Sequence, residues 1–338
     1  MKAAVLIKNA DAASAFEIRE VETPVPKADE VLIKVECFGL NFADVMARRG
    51  MYKEAPPLPA ILGYDAAGVV EATGNAVTHL TKGDRVMAMT RFGGYSEYAV
   101  TKASAAAIVP AGISNAAATA LATQYCTAWF AAAEMIQLHA GDNVLIHAGA
   151  GGVGTALIQY CLHKQCSIFS TAGSTEKINW LSSLGVQHPI NYRTADFENS
   201  INKITQGKGV DVIFDAVGGA SVKKGFRSLA AGGRLVCYGA ADLTNKNIFG
   251  KISAALAFGF YHPIMFMTAS KSMIGINMLR IADDKPEVIK RCLDNVIRLT
   301  NEGVFKPVVG KTFSIADIAA AHAYLENRGS MGKVVVEW

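Results

Sequence analysis

Gly149, Gly151 and Gly154 stand at G-x-G-x-x-G spacing, with Ala150, Gly152 and Val153 between them. They lie between a short apolar run, NVLIHA, and a helix-favouring run, TALIQY. Glycine at these positions permits a tight turn and a close approach of backbone to a pyrophosphate, whose charge the following helix N-terminus stabilises. A glycine fingerprint alone also serves tight packing. With a strand before it, a helix after it and a second strand following, the stretch reads as a dinucleotide site.

The next strand decides which dinucleotide. An NAD site places an acid about 20 residues past the first glycine, to accept from the ribose 2′-hydroxyl. Here the strand ends SIFSTAGSTEK, and the first acid, Glu176, falls beyond the turn. Ser170, Thr171, Gly173 and Ser174 surround the expected point, and Lys177 follows one helical turn on. Small hydroxyls and a cation suit a 2′-phosphate, so the expected cofactor is NADPH. The bland alternative is that Lys177 is a solvated helix charge.

A second stretch, CFGLNFADVMARRGMY, carries one thiol (Cys37), one carboxylate (Asp44) and no histidine. It follows the strand-like run DEVLIKVE, so its polar groups emerge where a strand ends. By itself it is open to three uses: metal binding, proton movement, or lining the wall beside a cofactor.

The rest of the composition narrows the classes. The 338 residues carry a net charge of +4, with 18% charged and 51% hydrophobic residues and no basic run. Such a chain buries a large core and is a poor nucleic-acid binder. The six cysteines form no C-x-x-C pair, which excludes a four-cysteine structural zinc and reads as reduced thiols of a cytoplasmic protein. The apolar run before Lys8 is too short for a signal-peptide core.

Two kinds of element must position these residues. Up to about Val109 short alternating runs such as DEVLIKVE, GDRVMAM and GGYSEYAV predict a β-rich domain. After Ile113 the sequence turns Ala-rich and helix-favouring, with Ser114 as the expected cap. From Asp142 the buried-type strands NVLIHA, CSIFST, VDVIFDA and GRLVCYGA alternate with helical stretches, the order of a parallel sheet with crossover helices. The tail predicts an amphipathic helix and a final strand. The fold class is therefore α/β. One segment stands apart: 252–270, ISAALAFGFYHPIMFMTAS, has no Asp, Glu, Lys or Arg. It reads as a buried helix pair, a subunit contact or an apolar substrate wall; Gly259 and His262-Pro263 interrupt it as a membrane span.

These residues together resemble the medium-chain dehydrogenase/reductase superfamily, and within it the zinc-free quinone oxidoreductases on the branch of the VAT-1 homologues. The motifs are NFADVMARRGMYKEAPPLP, GYDAAGVVEATG, KGDRVMAM, LATQYCTAW, the glycine loop, HPINYRTADF, GVDVIFDAVGG, GGRLVCYGAA and LENRGSMGKVVV, spread over essentially the whole chain. The resemblance implies a GroES-like β-rich catalytic domain over 1–122 with 271–338, joined to a doubly wound Rossmann NADP-binding domain over 123–270. It also implies that Asn41 and Tyr64 occupy positions where zinc-using relatives carry a cysteine and a histidine, so no metal is expected. Asn41 and Thr127 are expected near the nicotinamide carboxamide or the substrate oxygen. Gly152 and Val153 are expected at the pyrophosphate, and Lys177, Tyr192 and Arg328 at the 2′-phosphate. Tyr238 and Gly239 of GGRLVCYGAA join the cofactor set on the same ground.

Without a metal to polarise an alcohol oxygen, the expected substrate is a small, hydrophobic, already electrophilic molecule, a quinone or an α,β-unsaturated carbonyl compound. Hydrogen-bond donors and a proton then suffice, and Tyr52 and Tyr64 are the candidate donors beside Asn41. The resemblance further implies a homodimer paired through GGRLVCYGAA as an edge strand. It leaves a second reading open, a membrane- or partner-associated NADPH-binding protein with little or no turnover.

Overall fold

The structure, a computed structural model, describes residues 1–243 and 256–338. It divides into two compact units, Met1–Thr127 with Met278–Trp338, and Ala128–Asn277.

The first unit is built on strands. A seven-stranded sheet runs β15 (Val309–Ser314), β16 (Lys333–Glu337), β3 (Glu30–Leu40), β5 (Asp65–Thr73), β6 (Arg85–Met89) and β8 (Ala106–Ile108), with β7 (Tyr98–Lys102) also paired to β3. A smaller sheet orders β2 (Phe16–Glu20), β1 (Lys2–Leu6) and β4 (Ala60–Ile61). In β3 Val31, Leu32 and Ile33 are buried, Lys34 and Glu36 are exposed on either side of buried Val35, and the strand then runs fully buried from Cys37 to Leu40. That change carries the chain from a half-solvated sheet face into the core, where Phe38, Leu40, Leu62, Tyr95 and Val334 pack together. Burying each such large apolar side chain is worth ~1.5–3 kcal/mol.

Two helices shape this unit near the candidate residues. Helix α1 (Phe42–Arg48) begins at Asn41, whose backbone N–H donates to the Asp44 carboxylate at 2.8 Å, while Asp44 N donates to Asn41 O at 3.0 Å. Its last residue, Arg48, is fully buried and pairs with Glu326, which Arg49 also binds at 2.7 Å. The Ala-rich run starts as expected: the Ser114 hydroxyl accepts from Ala117 N at 3.2 Å and caps α2 (Asn115–Ala120). It then passes through two π-helical turns, Leu121–Tyr125 and Phe130–Glu134, around the short helix α3 (Cys126–Trp129).

The second unit holds a six-stranded parallel sheet ordered β11 (His188–Asn191), β10 (Ser167–Ala172), β9 (Asn143–Ile146), β12 (Val210–Asp215), β13 (Leu229–Cys237) and β14 (Ser272–Gly275). Numbered within the unit this is 3-2-1-4-5-6, the doubly wound order. The apolar runs read in the sequence are these strands, buried on both sides as parallel strands are.

The edge strand differs from expectation. GGRLVCYGAA was expected at the sheet edge, but β13 pairs with β12 on one side and β14 on the other. The short run KSMIG, directly after the charge-free segment, adds one more parallel strand, and β14 is the edge. Of the charge-free segment, 252–255 lies outside the described residues. The part that follows forms α4 (Pro263–Ala269). Tyr261 and Phe266 stack edge-on against Phe226 at 5.3 and 5.4 Å, while Phe260, Ile264 and Met267 are exposed. The described part is therefore not wholly buried, and among the described residues no helix is long and apolar enough to cross a membrane.

Candidate functional site

The first unit gathers its candidate residues where three neighbouring strands end. Asn41 follows β3, Asp65 opens β5 and Lys333 opens β16. Because β3 lies between the other two, their ends converge. Lys333 Nζ donates to Asp65 Oδ2 at 2.6 Å and to Asn41 Oδ1 at 2.9 Å, and Asn41 Nδ2 donates to the same Asp65 oxygen at 2.7 Å. Gly39 N donates to Asp65 Oδ1 at 2.8 Å. Asp65 and Lys333 have no exposed surface. A buried ion pair persists only when further hydrogen bonds occupy its remaining donors and lone pairs, and these do so.

Asp44, equally buried, accepts from Asn41 N at 2.8 Å and from Gly63 N at 3.2 Å. Burial raises its carboxyl from 3.8 to about 8 against the hydrogen bond from Asn41, and the charge of Asp65 adds to the rise. Beside it the rings of Tyr52 and Tyr64 meet edge-on at 6.0 Å. Burial lifts the Tyr52 phenol to about 12 and the Tyr64 phenol further still, so both keep their protons at neutral pH. Tyr64 Oη is buried without a hydrogen-bond partner among the described residues. Thr123 Oγ1 donates to Tyr64 O at 3.1 Å and Thr127 Oγ1 to Thr123 O at 2.7 Å, which seats Thr127 one turn along from this cluster. Asn41, Tyr52, Tyr64 and Thr127 thus occupy one region of this unit. Arg328 lies elsewhere in it, exposed just past α5 (Ile318–Glu326), in left-handed backbone with φ of 58°.

The second unit gathers its candidates at the carboxyl ends of its strands. The glycine loop joins β9 to α6 (Gly152–His163), with Gly151 as the N-cap. A Cβ on Gly149 would meet Ser170 Oγ at 1.9 Å, and one on Gly154 would meet Gly149 Cα at 2.6 Å. Backbone and strand approach so closely that only glycine fits, the geometry a pyrophosphate cradle requires. Val153 continues the first turn of that helix.

The end of β10 carries the other half. Ser174 caps α7 (Thr175–Ser183) by accepting from Lys177 N at 3.3 Å. Gly173 lies under the ring of Tyr192, whose hydroxyl a Cβ there would approach to 2.3 Å. Glu176 is exposed in the first helical turn, so no acid stands at the strand end. Thr171 is placed more deeply than a ribose contact: it is buried, and its Oγ1 lies 3.0 Å from His147 Nδ1 and accepts from Ala148 N at 3.3 Å. Its hydroxyl braces the glycine loop from below. Tyr238 N donates to Asp215 O at 3.0 Å, and burial, with the Asp215 charge, raises its phenol. Gly239 follows at the end of β13, where a Cβ would meet Ala216 O at 2.6 Å.

Sequence reasoning passed over Lys333, Asp65 as its partner, and His147. His147 is buried beneath the loop with Nε2 unpartnered among the described residues, and burial lowers its pKa, so it is neutral. Its place as the last polar residue before the fingerprint was the available signal. Lys333 gave none, because its contacts are 268 and 292 residues distant.

Comparison with known proteins agrees with both halves. Residues 27–113 match the alcohol dehydrogenase GroES-like domain and residues 184–336 the zinc-binding dehydrogenase family. The chain is 33% identical over 325 residues to the synaptic vesicle membrane protein VAT-1 homolog of Rattus norvegicus, covering 95% of this chain and 80% of that protein. It is 33% identical over 317 residues to the homolog of Danio rerio, covering 93% of this chain but 65% of that longer protein. Among solved structures, Escherichia coli quinone oxidoreductase complexed with NADPH superposes with a TM-score of 0.88 at 26% identity over the full length of both chains.

The zinc in one family name does not fit the residues present. Catalytic zinc takes three protein ligands from Cys, His or carboxylate. Here Asn41 and Tyr64 supply an amide and a protonated phenol, and the carboxylate beside Asn41, Asp65, is already bound to an ammonium group. Among the described residues no three His, Cys, Asp or Glu side chains converge. On fold, motifs and relatives alike, the chain belongs to the medium-chain dehydrogenase/reductases, in the quinone oxidoreductase family and on its VAT-1 branch.

Proposed function

We propose that the protein is an NADPH-dependent reductase of small, hydrophobic, electrophilic carbonyl compounds, quinones or α,β-unsaturated ketones and aldehydes, that works without a metal. The observation that carries this reading is the end of β10: a strand with no acid, a glycine packed under Tyr192, and Lys177 in the first turn of a capped helix. A 2′-phosphate suits that surface, where a free ribose would find no carboxylate to bind. The glycine loop fits the pyrophosphate, and NADPH bound there supplies a hydride.

The chain's own residues supply the rest. Gly149, Gly151, Gly152, Val153 and Gly154 hold the phosphates close to backbone N–H groups, and Tyr238 and Gly239 extend that wall. Lys177, Tyr192 and Arg328 set the preference for the 2′-phosphate. Asn41 and Thr127 orient the carboxamide or the substrate oxygen. Tyr52 and Tyr64, kept protonated by burial, donate to that oxygen as it gains charge. A substrate that is electrophilic from the start suits this equipment, since no strong Lewis acid is built into it. A second copy of the chain pairing along β14 is the expected assembly.

A second reading has its own support. Phe260, Ile264 and Met267 are exposed on and before α4, and the relatives carry a vesicle-membrane name. On that reading the protein sits at a membrane surface and binds NADPH with little turnover. Oxidation of NADPH by phenanthrenequinone, followed with and without liposomes, separates the two. Turnover in free solution supports the reductase, and its absence despite NADPH binding supports the membrane protein.

A further inference from the structure

The geometry points to Lys333 as a positioning residue: with Asp65 it fixes which way the Asn41 carboxamide faces, and so what Asn41 offers a bound molecule. The inference rests on the reading above that Asn41 touches the nicotinamide or the substrate oxygen.

An asparagine amide can turn over at almost no cost in shape, exchanging a donor for an acceptor. Its neighbours decide the direction. Here the neighbours leave no choice. Lys333 Nζ carries only donors, so the amide atom 2.9 Å from it must be the oxygen. Asp65, ion-paired with Lys333, offers acceptors, so the amide atom 2.7 Å from Oδ2 must be the nitrogen. The turned amide would set N–H groups against an ammonium and an oxygen against a carboxylate, both inside a fully buried pair. Since Lys333 and Asp65 also bind each other at 2.6 Å, the three groups close a ring, and one amide N–H of Asn41 remains outside it. Asn41 therefore presents a fixed donor, suited to a carbonyl or developing alkoxide oxygen.

The strand layout is shaped to admit this ring. Gly39 pairs with Val335 across β3 and β16, two residues from Lys333 and so on the same face of its strand. A Cβ on Gly39 would come within 1.9 Å of Lys333 Cε and 2.4 Å of Asp65 Oδ1. The lysine reaches Asn41 only because β3 has no side chain there.

A purely structural ion pair would hold the strand ends equally well whatever stood at position 41, and the test separates these roles. The variants are Lys333→Met and Lys333→Met with Asp65→Asn, the second keeping an acceptor for Gly39 N–H and leaving no unpaired buried charge. In the ¹⁵N-labelled full chain, the Asn41 side-chain amide signal is identified by its loss in Asn41→Ala. It should exchange slowly with solvent in the wild type and about tenfold faster in the double variant. With NADPH and phenanthrenequinone, the double variant should lose about tenfold in kcat with little change in the quinone KM, the usual size of an outer-shell effect. That loss should vanish when the same changes are made in an Asn41→Ala background. An equal kcat loss in both backgrounds, or an unchanged exchange rate in a folded double variant, would overturn the proposal. A wild type that binds NADPH but reduces no quinone would sink the reductase reading, while the amide-exchange comparison would still decide this one.

Discussion

The phenol of Tyr192 covers Gly173 so closely that a Cβ on the glycine would come within 2.3 Å of the tyrosine hydroxyl. This contact joins the end of β10 to the residue that follows β11. Tyr192 is 41% exposed, so its ring is held mainly by this packing and not by the core. Gly173→Ala should push the ring aside and weaken NADPH binding by roughly tenfold, about 1.4 kcal/mol, with a nearly unchanged melting temperature. Isothermal titration with NADPH and a thermal melt on the same sample check both parts.

Lys177 should account for much of the choice between cofactors. Lys177→Ala is expected to cost about 1–2 kcal/mol of NADPH affinity, the scale of one charge-assisted contact, and to leave NADH affinity unchanged. Nicotinamide fluorescence titrations with both cofactors measure the gap directly. A wild type that binds both equally would remove the basis for the NADPH assignment.

The pH dependence of stability should carry the signature of Asp44. Its folded carboxyl is raised from 3.8 to about 8, so between those values the native state holds more protons than the unfolded chain. Stability therefore falls as pH rises through that window and levels off above it. Urea midpoints measured from pH 5 to 8.5 should decline in the wild type and decline less steeply in Asp44→Asn. A wild-type midpoint that rises over this range would mean that hydrogen bonds from Asn41 and Gly63 outweigh burial.

The apolar helix α4 can be divided by substitution. Phe266 packs on Phe226, so Phe266→Asp should destabilise the protein by about 1–3 kcal/mol whatever the segment does. Phe260 is 86% exposed, so Phe260→Asp should change stability by no more than ~0.5 kcal/mol. That makes Phe260→Asp the informative variant. Loss of liposome flotation with unchanged quinone turnover would assign the face to a membrane. A raised quinone KM with flotation unaffected would assign it to substrate.

Local signals carried much of this account, and distant ones did not. The glycine loop, the Ser114 cap and the missing acid after β10 are read from a few adjacent residues, because each is a short-range demand on backbone or charge. The edge strand was misplaced for a reason of scale: SMIG, Ser272–Gly275, is a strand of only four residues, and a run so short beside a longer apolar segment carries little periodic signal. The π-helical turns around Thr127 leave no mark in an Ala-rich sequence that suits an α-helix equally well. Lys333 was invisible for another reason. Its role depends on three strand ends meeting, and a lysine near a chain terminus ordinarily reads as solvent-exposed.

The central claim is tested most directly by following NADPH absorbance on adding phenanthrenequinone to protein that has been treated with a chelator and checked by elemental analysis for zinc. The account predicts steady oxidation of NADPH by zinc-free protein, no stimulation when zinc is restored, and a rate with NADH at the same concentration about tenfold lower or less, as one lost charge-assisted contact implies. Turnover that appears only when zinc is returned, or that proceeds equally with both cofactors, would contradict it.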